Sequence, residues 1–281
     1  MGVNEMASHT KKKKTEKFFA ALLLAIGGLL VSIPFLWMLA SAFKTESESI
    51  EFPPTFIPEN PTLDNFINLF TELNFGVYLT NTIIIVIFSM FGMLLSTMAG
   101  YGFAKFQFKG KELLFYLVLA TMMIPNQVTM IPVYLVVNQL GLTNTMAGII
   151  LPGLVVAFMI FLIRQFMSTI PDDLIEAARL DGAGELYIFF KLIIPMAKPI
   201  IAVQGILTFI ASWNSFIWPL IIANDESLYT LSVGLSLLQG QHESDFGLQM
   251  AGAAFMVIPI LIIFMLFQRY VVEGFTMSGM K

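Results

Sequence analysis

The residues of this chain with the greatest chemical potential lie between 171 and 199. Glu176-Ala177-Ala178-Arg179-Leu180-Asp181-Gly182-Ala183 sets two carboxylates, a guanidinium and a helix-ending glycine within eight positions. Pro171, Asp172 and Asp173 precede it, and Pro195, Lys198 and Pro199 follow. A second group is uncharged: Gln204, Ser212, Trp213, Asn214, Ser215 and Trp218, with Asn126-Gln127 farther upstream. Amides that hydrogen-bond hydroxyls and indoles that stack on rings suit a hydroxyl-rich solute. Catalysis has little to work with. There is no cysteine, and the histidines are His9 and His242, both in polar segments, so a His/Cys metal site inside an apolar region is excluded.

The elements that must position these groups are set by composition. Hydrophobic residues make up 57% of the chain and charged residues 12%, against about 25% charged in a soluble domain. Mean hydropathy is +0.81. A charge at the bilayer centre costs about 2.5–3.5 kcal/mol, so charge-free runs mark spans. Such runs lie between Lys17 and Lys44, Glu72 and Lys105, Glu112 and Arg164, Lys198 and Asp225, and Asp245 and Arg269. A span needs about 20 apolar residues. The run after Glu112 holds two, divided by the polar turn from Asn138 to Thr145. The expectation is an all-α membrane protein of six transmembrane helices, near 18–43, 78–100, 113–137, 146–166, 200–223 and 248–267. A membrane barrel would need short alternating strands, and these runs are continuous. The basic tail, 1–17, and Ala40-Ser41-Ala42 resemble a cleavable signal, but the apolar run is too long for one.

Charge orients the helices. With Lys11–Lys14 and Lys17 in the cytoplasm, alternation puts Lys105, Lys109, Lys111, Arg164, Arg179, Lys191, Lys198, Arg269 and Lys281 there too: 14 of the 15 Lys+Arg, leaving Lys44 outside. The outer loops are acidic, with Glu46, Glu48, Glu51, Glu59, Asp64 and Glu72 in 44–77, and Asp225, Glu226, Glu243 and Asp245 in the other. Nothing in this pattern suggests nucleic acid. The outer stretch around Pro53, Pro54, Pro58 and Pro61 reads as extended chain.

Within the spans, Pro125 and Pro132 interrupt the third helix beside Asn126-Gln127. Each proline frees a carbonyl, and such breaks are tolerated where protein or a water-filled cavity covers them. The break is either a packing kink or a flexing wall of a translocation path. Gln204, Trp213 and Asn214 of the fifth helix should face other helices. They either bond across helices, at about 0.6 kcal/mol each, or meet solute. Trp218 is also a candidate interfacial belt residue. No ionisable residue lies near the centre of a span, as ion-coupled carriers usually require.

The segment 167–199 is far longer than a connector needs. Pro171 suits a first helical turn, with Asp172 and Asp173 near the positive helix end. The helix should stop at Gly182. At 100° per residue Asp172, Glu176 and Arg179 share one face, while Leu174, Ala177 and Ala178 lie opposite with Asp181 at their edge. Asp181 could then cap a second helix starting near Ala183, carrying Leu186, Phe189, Phe190 and Ile193 and ending at Pro195. Residues alone permit either an amphipathic hairpin on the membrane surface or a coupling element.

Glu176-Ala-Ala-x-x-Asp181-Gly182-Ala183, with Phe189, Ile193, Pro195 and Lys198-Pro199, resembles the EAA loop of binding-protein-dependent ABC importer permeases. The likeness covers the five-helix core, 78–267. The extra first helix, Ile124-Pro125 with Ile131-Pro132, Phe161-Leu-Ile-Arg164-Gln165-Phe166, Ser212-Trp213-Asn214-x-Phe216-x-Trp218-Pro219-Leu220 and Gln268-Arg269-Tyr270-Val-Val-Glu273-Gly274 are similar to the carbohydrate, maltose-transporter-like branch. The resemblance implies a prokaryotic plasma-membrane subunit with both termini, including the tail 268–281, in the cytoplasm, and with no cofactor of its own. Its partners would be a second homologous permease, two ATPase subunits and an extracytoplasmic solute-binding protein. The first loop helix would sit in a cleft of the ATPase, with Glu176 facing it and Gly182 setting the bend. Peptide or polyamine import is the alternative, though a cationic solute would call for an intramembrane acid.

Overall fold

The computed structural model describes residues 3–71, 73–241 and 245–278, without the side chains of 3–15, 239, 241 and 271–278. Glu72, His242, Glu243 and Lys281 lie outside the described residues. No strand occurs among those described. The main helices are α1 (Val3–Ser41), α2 (Asp64–Thr71), α3 (Phe75–Lys105), α4 (Lys111–Met122), α5 (Asn126–Gln139), α6 (Met146–Ile150), α7 (Ala157–Met167), α8 (Asp172–Leu180), α9 (Lys198–Trp213), α10 (Ile217–Ile222), α11 (Leu231–Gln241) and α12 (Phe246–Ser278).

Among the described residues, five stretches are long and apolar enough to cross a membrane: Glu16–Ser41, Phe75–Lys105, Met146–Met167, Lys198–Ile222 and Phe246–Tyr270. A sixth counts if α4 and α5 form one broken span. The chain is thus an all-helical, multi-pass membrane protein. α1 begins well before residue 18, and α3 extends to Lys105, past the anticipated end at Gly100. The third span is bent by 105°, far more than a proline kink. Ile124 precedes a proline and is steered out of the helical region. The amides of Met123 and Ile124 turn to the carbonyls three residues back, and Pro125 then caps α5 with φ −59 and ψ 134. The fifth span is also broken, at Asn214 to Phe216.

The chain forms two compact units. In the first, 3–69 with 245–254 among the described residues, polar groups tie the segment after α1 to itself. Lys44 is 2% exposed; its ammonium donates to the Thr55 carbonyl and lies 4.9 Å from the Trp37 ring centre. Glu48 accepts from the Glu59 amide at 2.8 Å, and the Asn65 amide donates to the carbonyls of Ala42 and Lys44. The Pro-rich stretch anticipated as extended chain is therefore anchored to buried charges.

In the second unit, 70–241 with 255–278 among the described residues, α3 is the central post. It packs along α7 and α9. Close approach to α7 and the turn leading into it is set by glycine: a Cβ on Gly92 would stand 1.7 Å from the carbonyl oxygen of Leu154, before α7, and one on Gly100 2.6 Å from Ile163. The polar turn after α5 is a clamp. Asn144, at φ +56, donates its amide to the Ile222 carbonyl and accepts from the Asn224 amide on its Oδ1, both at 2.9 Å. Overpacking of this kind costs about 1–3 kcal/mol. Gly92→Ala and Gly100→Ala should each lower the thermal unfolding midpoint in detergent. Gly102→Ala, where nothing stands within 4 Å, should leave it unchanged or slightly higher.

Candidate functional site

The segment after α7 is built on a buried anchor that the helical wheel did not single out. Ile175 is 2% exposed and joins Tyr101, Ile163, Met167, Ile170, Ile188, Phe189, Ile193 and Ala197 in one apolar cluster, with Ala178 and Ala183 packed against it. Ile175 and Ala178 lie three apart, on one face, and that face holds α8 to the ends of α3 and α7. Of the residues grouped on the small-residue face, Ala178 turns inward, while Leu174 and Ala177 stay exposed.

The start of α8 is fixed by charge. Pro171 lies one residue outside the helix rather than within its first turn, with Asp172 and Asp173 following. The Lys105 ammonium, on a side chain only 3% exposed, is 2.6 Å from the Asp172 carboxylate and also donates to the Ile170 carbonyl. The lysine that ends α3 thus caps the chain entering α8. Its hydrogen bond, reinforced by its charge, holds the Asp172 carboxyl below the usual carboxylate range.

The end of α8 is set by backbone geometry. Gly182 has φ +83. Its amide donates to the Arg179 carbonyl, and the Ala183 amide donates to Ala178, both at 3.0 Å. This pair of crossed bonds is a Schellman motif. It turns the chain so that Arg179 meets Glu185, at 2.7 and 3.2 Å through two guanidinium nitrogens. That hydrogen bond raises the Arg179 pKa. The guanidinium also lies 5.7 Å from the Phe106 ring centre. Arg179 was grouped in sequence with Asp172 and Glu176; its actual partner lies across the bend.

The second helical run differs from the anticipated helix in three respects. It starts at Glu185 after Gly184, with no side-chain cap, so Asp181 does not cap it. It contains a π-helical stretch, Ile188–Ile193. It also passes through Pro195 to Met196 and breaks at Ala197, where φ is −89 and ψ 9. The wider π turn precedes a proline that has no amide to continue the α-helical ladder. Pro199 then lies in the first turn of α9, where a missing amide costs nothing, and Lys198 is exposed.

What remains outward is a ridge: Leu174 at 41%, Ala177, and Leu180 at 88% exposure, flanked by exposed Glu176 and Asp181. Leu186 and Tyr187 continue it across the bend at 65% and 63%. A short helix whose inner face is locked and whose outer face leaves two leucines bare among carboxylates is suited to receive another protein.

The uncharged group is dispersed. Gln204 is wholly buried, its Oε1 3.0 Å from Thr97 Oγ1 on α3. The Trp213 indole donates to the Met256 carbonyl at 3.0 Å and stacks on Phe209, and the Trp218 indole donates to Gly148 at 3.1 Å. Asn214 is exposed and bonds its own helix at Ile210, and Asn126 and Gln127 are exposed at the start of α5. Sequence reasoning missed Lys105, Ile175 and Glu185. The trace of the first was its place as the charge that ends the apolar run after Glu72.

Comparison with known proteins agrees with this architecture. Residues 92–276 match the family described as "Binding-protein-dependent transport system inner membrane component". The chain is 36% identical over 280 residues to the arabinooligosaccharides transport system permease protein AraQ of Halalkalibacterium halodurans, covering 96% of this chain and 99% of that one. It is 32% identical to the diacetylchitobiose uptake system permease protein NgcG of Streptomyces coelicolor, with 91% and 87% covered. In fold it is similar to a chain in the crystal structure of a bacterial ABC transporter involved in import of the acidic polysaccharide alginate. The TM-score is 0.80 at 24% identity, covering 92% and 98%.

Because the Asp172 pKa is depressed, its contribution to holding α8 is in full force above the ordinary carboxylate pKa of about 3.9. It fades only as pH falls through the lower folded value. A carbon-13 titration of the Asp172 carboxyl should give a midpoint below that range, and Lys105→Met should return it upward. An unchanged midpoint in that variant would show that the pair does not set the titration.

Proposed function

We propose that this chain, which belongs to the family of binding-protein-dependent transport system inner membrane components, is the membrane-spanning subunit of an ATP-driven importer of sugars, most specifically oligosaccharides. Membership sets it in an ABC transporter with other subunits. The finer assignments are part of the proposal: a second homologous permease completing the path, two ATPase subunits hydrolysing ATP, and an extracytoplasmic solute-binding protein that meets the acidic loops. The end carrying Lys105, Lys111 and α8 is the cytoplasmic one, and both chain termini lie there. The membrane is the plasma membrane of a prokaryote.

The observation that carries this reading is the outer ridge of α8. Leu174, Ala177 and Leu180 project from a helix whose other face is locked by Ile175 and whose two ends are fixed by Lys105–Asp172 and by the Gly182 turn. A force applied there moves α3 and α7 rather than bending a loop. The residues are those of the EAA pattern, from Glu176 to Ala183. Sugar as the solute is supported by the names of the relatives and by the exposed Asn214 amide at the end of α9. Asn214, Asn126 and Gln127, whose side chains are exposed, are the candidates for solute contact in that path. Gln204, Trp213 and Trp218 shape its wall through other helices.

Leu180→Asp should leave the folded subunit as stable as the parent but release the ATPase subunit in pull-down. Gly182→Pro, which can adopt neither φ +83 nor the amide bond to Arg179, should abolish solute-stimulated ATP hydrolysis, at least tenfold. A fully coupled Gly182→Pro complex would sink the coupling role. Uptake of labelled oligosaccharide that survives ATP depletion but collapses with an uncoupler would sink the ATP-driven reading.

A further inference from the structure

An apolar groove of about 400 Å³ opens between α4 and α7 beside the end of α3, lined by Phe103, Leu114, Leu117, Val118, Val155 and Ile160. Two cations stand at one end of it. On α4, Lys111 lies one and two turns before Leu114 and Val118, within about 60° of both around the helix. On α7, Arg164 follows Ile160 by one turn, about 40° around the helix. From Lys111 to Thr121, the last α4 residue of the lining, the rise is about 15 Å, half of a hydrocarbon core of about 30 Å.

The two cations are not alike. Arg164 is engaged: both carboxylate oxygens of Glu112 lie 3.2 Å from its guanidinium, which rests 3.5 Å over the Phe115 ring. Lys111 is 9% exposed, and its ammonium forms no hydrogen bond or ion pair among the described residues, although its charge reaches Asp172. The other nearby acid, Asp172, is held by Lys105. Its stem is packed but its ammonium is not among the buried partnerless atoms, so it remains open to an anion at the mouth of a hydrocarbon-lined groove one leaflet deep.

We propose that this groove binds an anionic phospholipid, its acyl chain lying along Leu114, Val118 and Ile160 and its phosphate meeting the Lys111 ammonium. Lipid is the occupant rather than a helix of a second permease because of charge. A homologous subunit obeying the same inside-positive bias brings its own lysines to this depth, where they repel Lys111. A phosphate neutralises it.

The test uses the full-length protein with its co-purifying subunits in nanodiscs, probed with phosphatidylglycerol and phosphatidylcholine bearing the same photoreactive acyl chain. Peptides spanning 113–121 and 155–160 should be labelled several-fold more by phosphatidylglycerol. Lys111→Gln should reduce that labelling to the phosphatidylcholine level, whereas Lys111→Arg should preserve it. If Lys111→Gln fails to assemble, Val118→Trp, which fills the groove and leaves both cations, should remove the labelling instead. Equal labelling by the two lipids, labelling indifferent to these variants, or cross-linking of the groove peptides to a neighbouring subunit in place of lipid would each overturn the proposal.

Discussion

Hydrocarbon offers no hydrogen bonds, so a polar side chain that enters a span is stabilised by a partner within the protein. Much of the second unit follows from this. Gln204 meets Thr97, the Trp213 indole reaches the Met256 carbonyl, and the Trp218 indole reaches Gly148. The Asn81 amide donates to the carbonyls of Ser227 and Tyr229, and the Thr82 hydroxyl accepts from the Leu231 amide at the start of α11. Each bond joins elements far apart in sequence. Apolar faces pressed together in lipid gain little from the hydrophobic effect. Orientation of one helix against another therefore falls to these few bonds and to the small residues, Gly92 and Gly100, that let backbones touch.

The segment between α7 and α9 obeys a different rule because part of it stands in water. There an apolar cluster around Ile175, Ile188 and Ile193 can form in the ordinary way, by removing hydrocarbon from solvent. The result is a small core welded to the ends of two spans. Charge then locks its entrance at Lys105–Asp172 and backbone geometry locks its exit at Gly182. The bare ridge of Leu174 and Leu180 is the remainder: apolar area that the subunit alone does not cover. Stiffness inside and incompleteness outside are what an element needs if it is to pass a partner's motion to helices in the membrane.

Legibility in sequence tracked how local each determinant was. Spans were readable because hydrocarbon acts on composition, and the absence of charge over about 20 residues is decisive whatever the neighbours. The stop at Gly182 was readable because a left-handed turn is a property of one residue. The break at Pro125 was readable in position, since proline removes its own amide. Its 105° angle was not, because that depends on what α4 and α5 pack against. The Arg179–Glu185 pair escaped because it crosses a bend, where helical periodicity has no meaning. Ile175 escaped because a wheel identifies faces without saying which one meets the protein.

By itself, the sequence determined that this is a chain of apolar helices separated by charged segments, one of which carries a glycine-terminated helix. Those are consequences of solvent preference and backbone chemistry, which each residue carries wherever it goes. Tertiary structure decided which face of α8 is locked and which is free. It also decided that Gln204, Trp213 and Trp218 direct their polar atoms at other helices, and that Lys111 is left with a positive charge beside an apolar groove. These outcomes depend on distances between residues dozens of positions apart, and only the packed chain sets those distances.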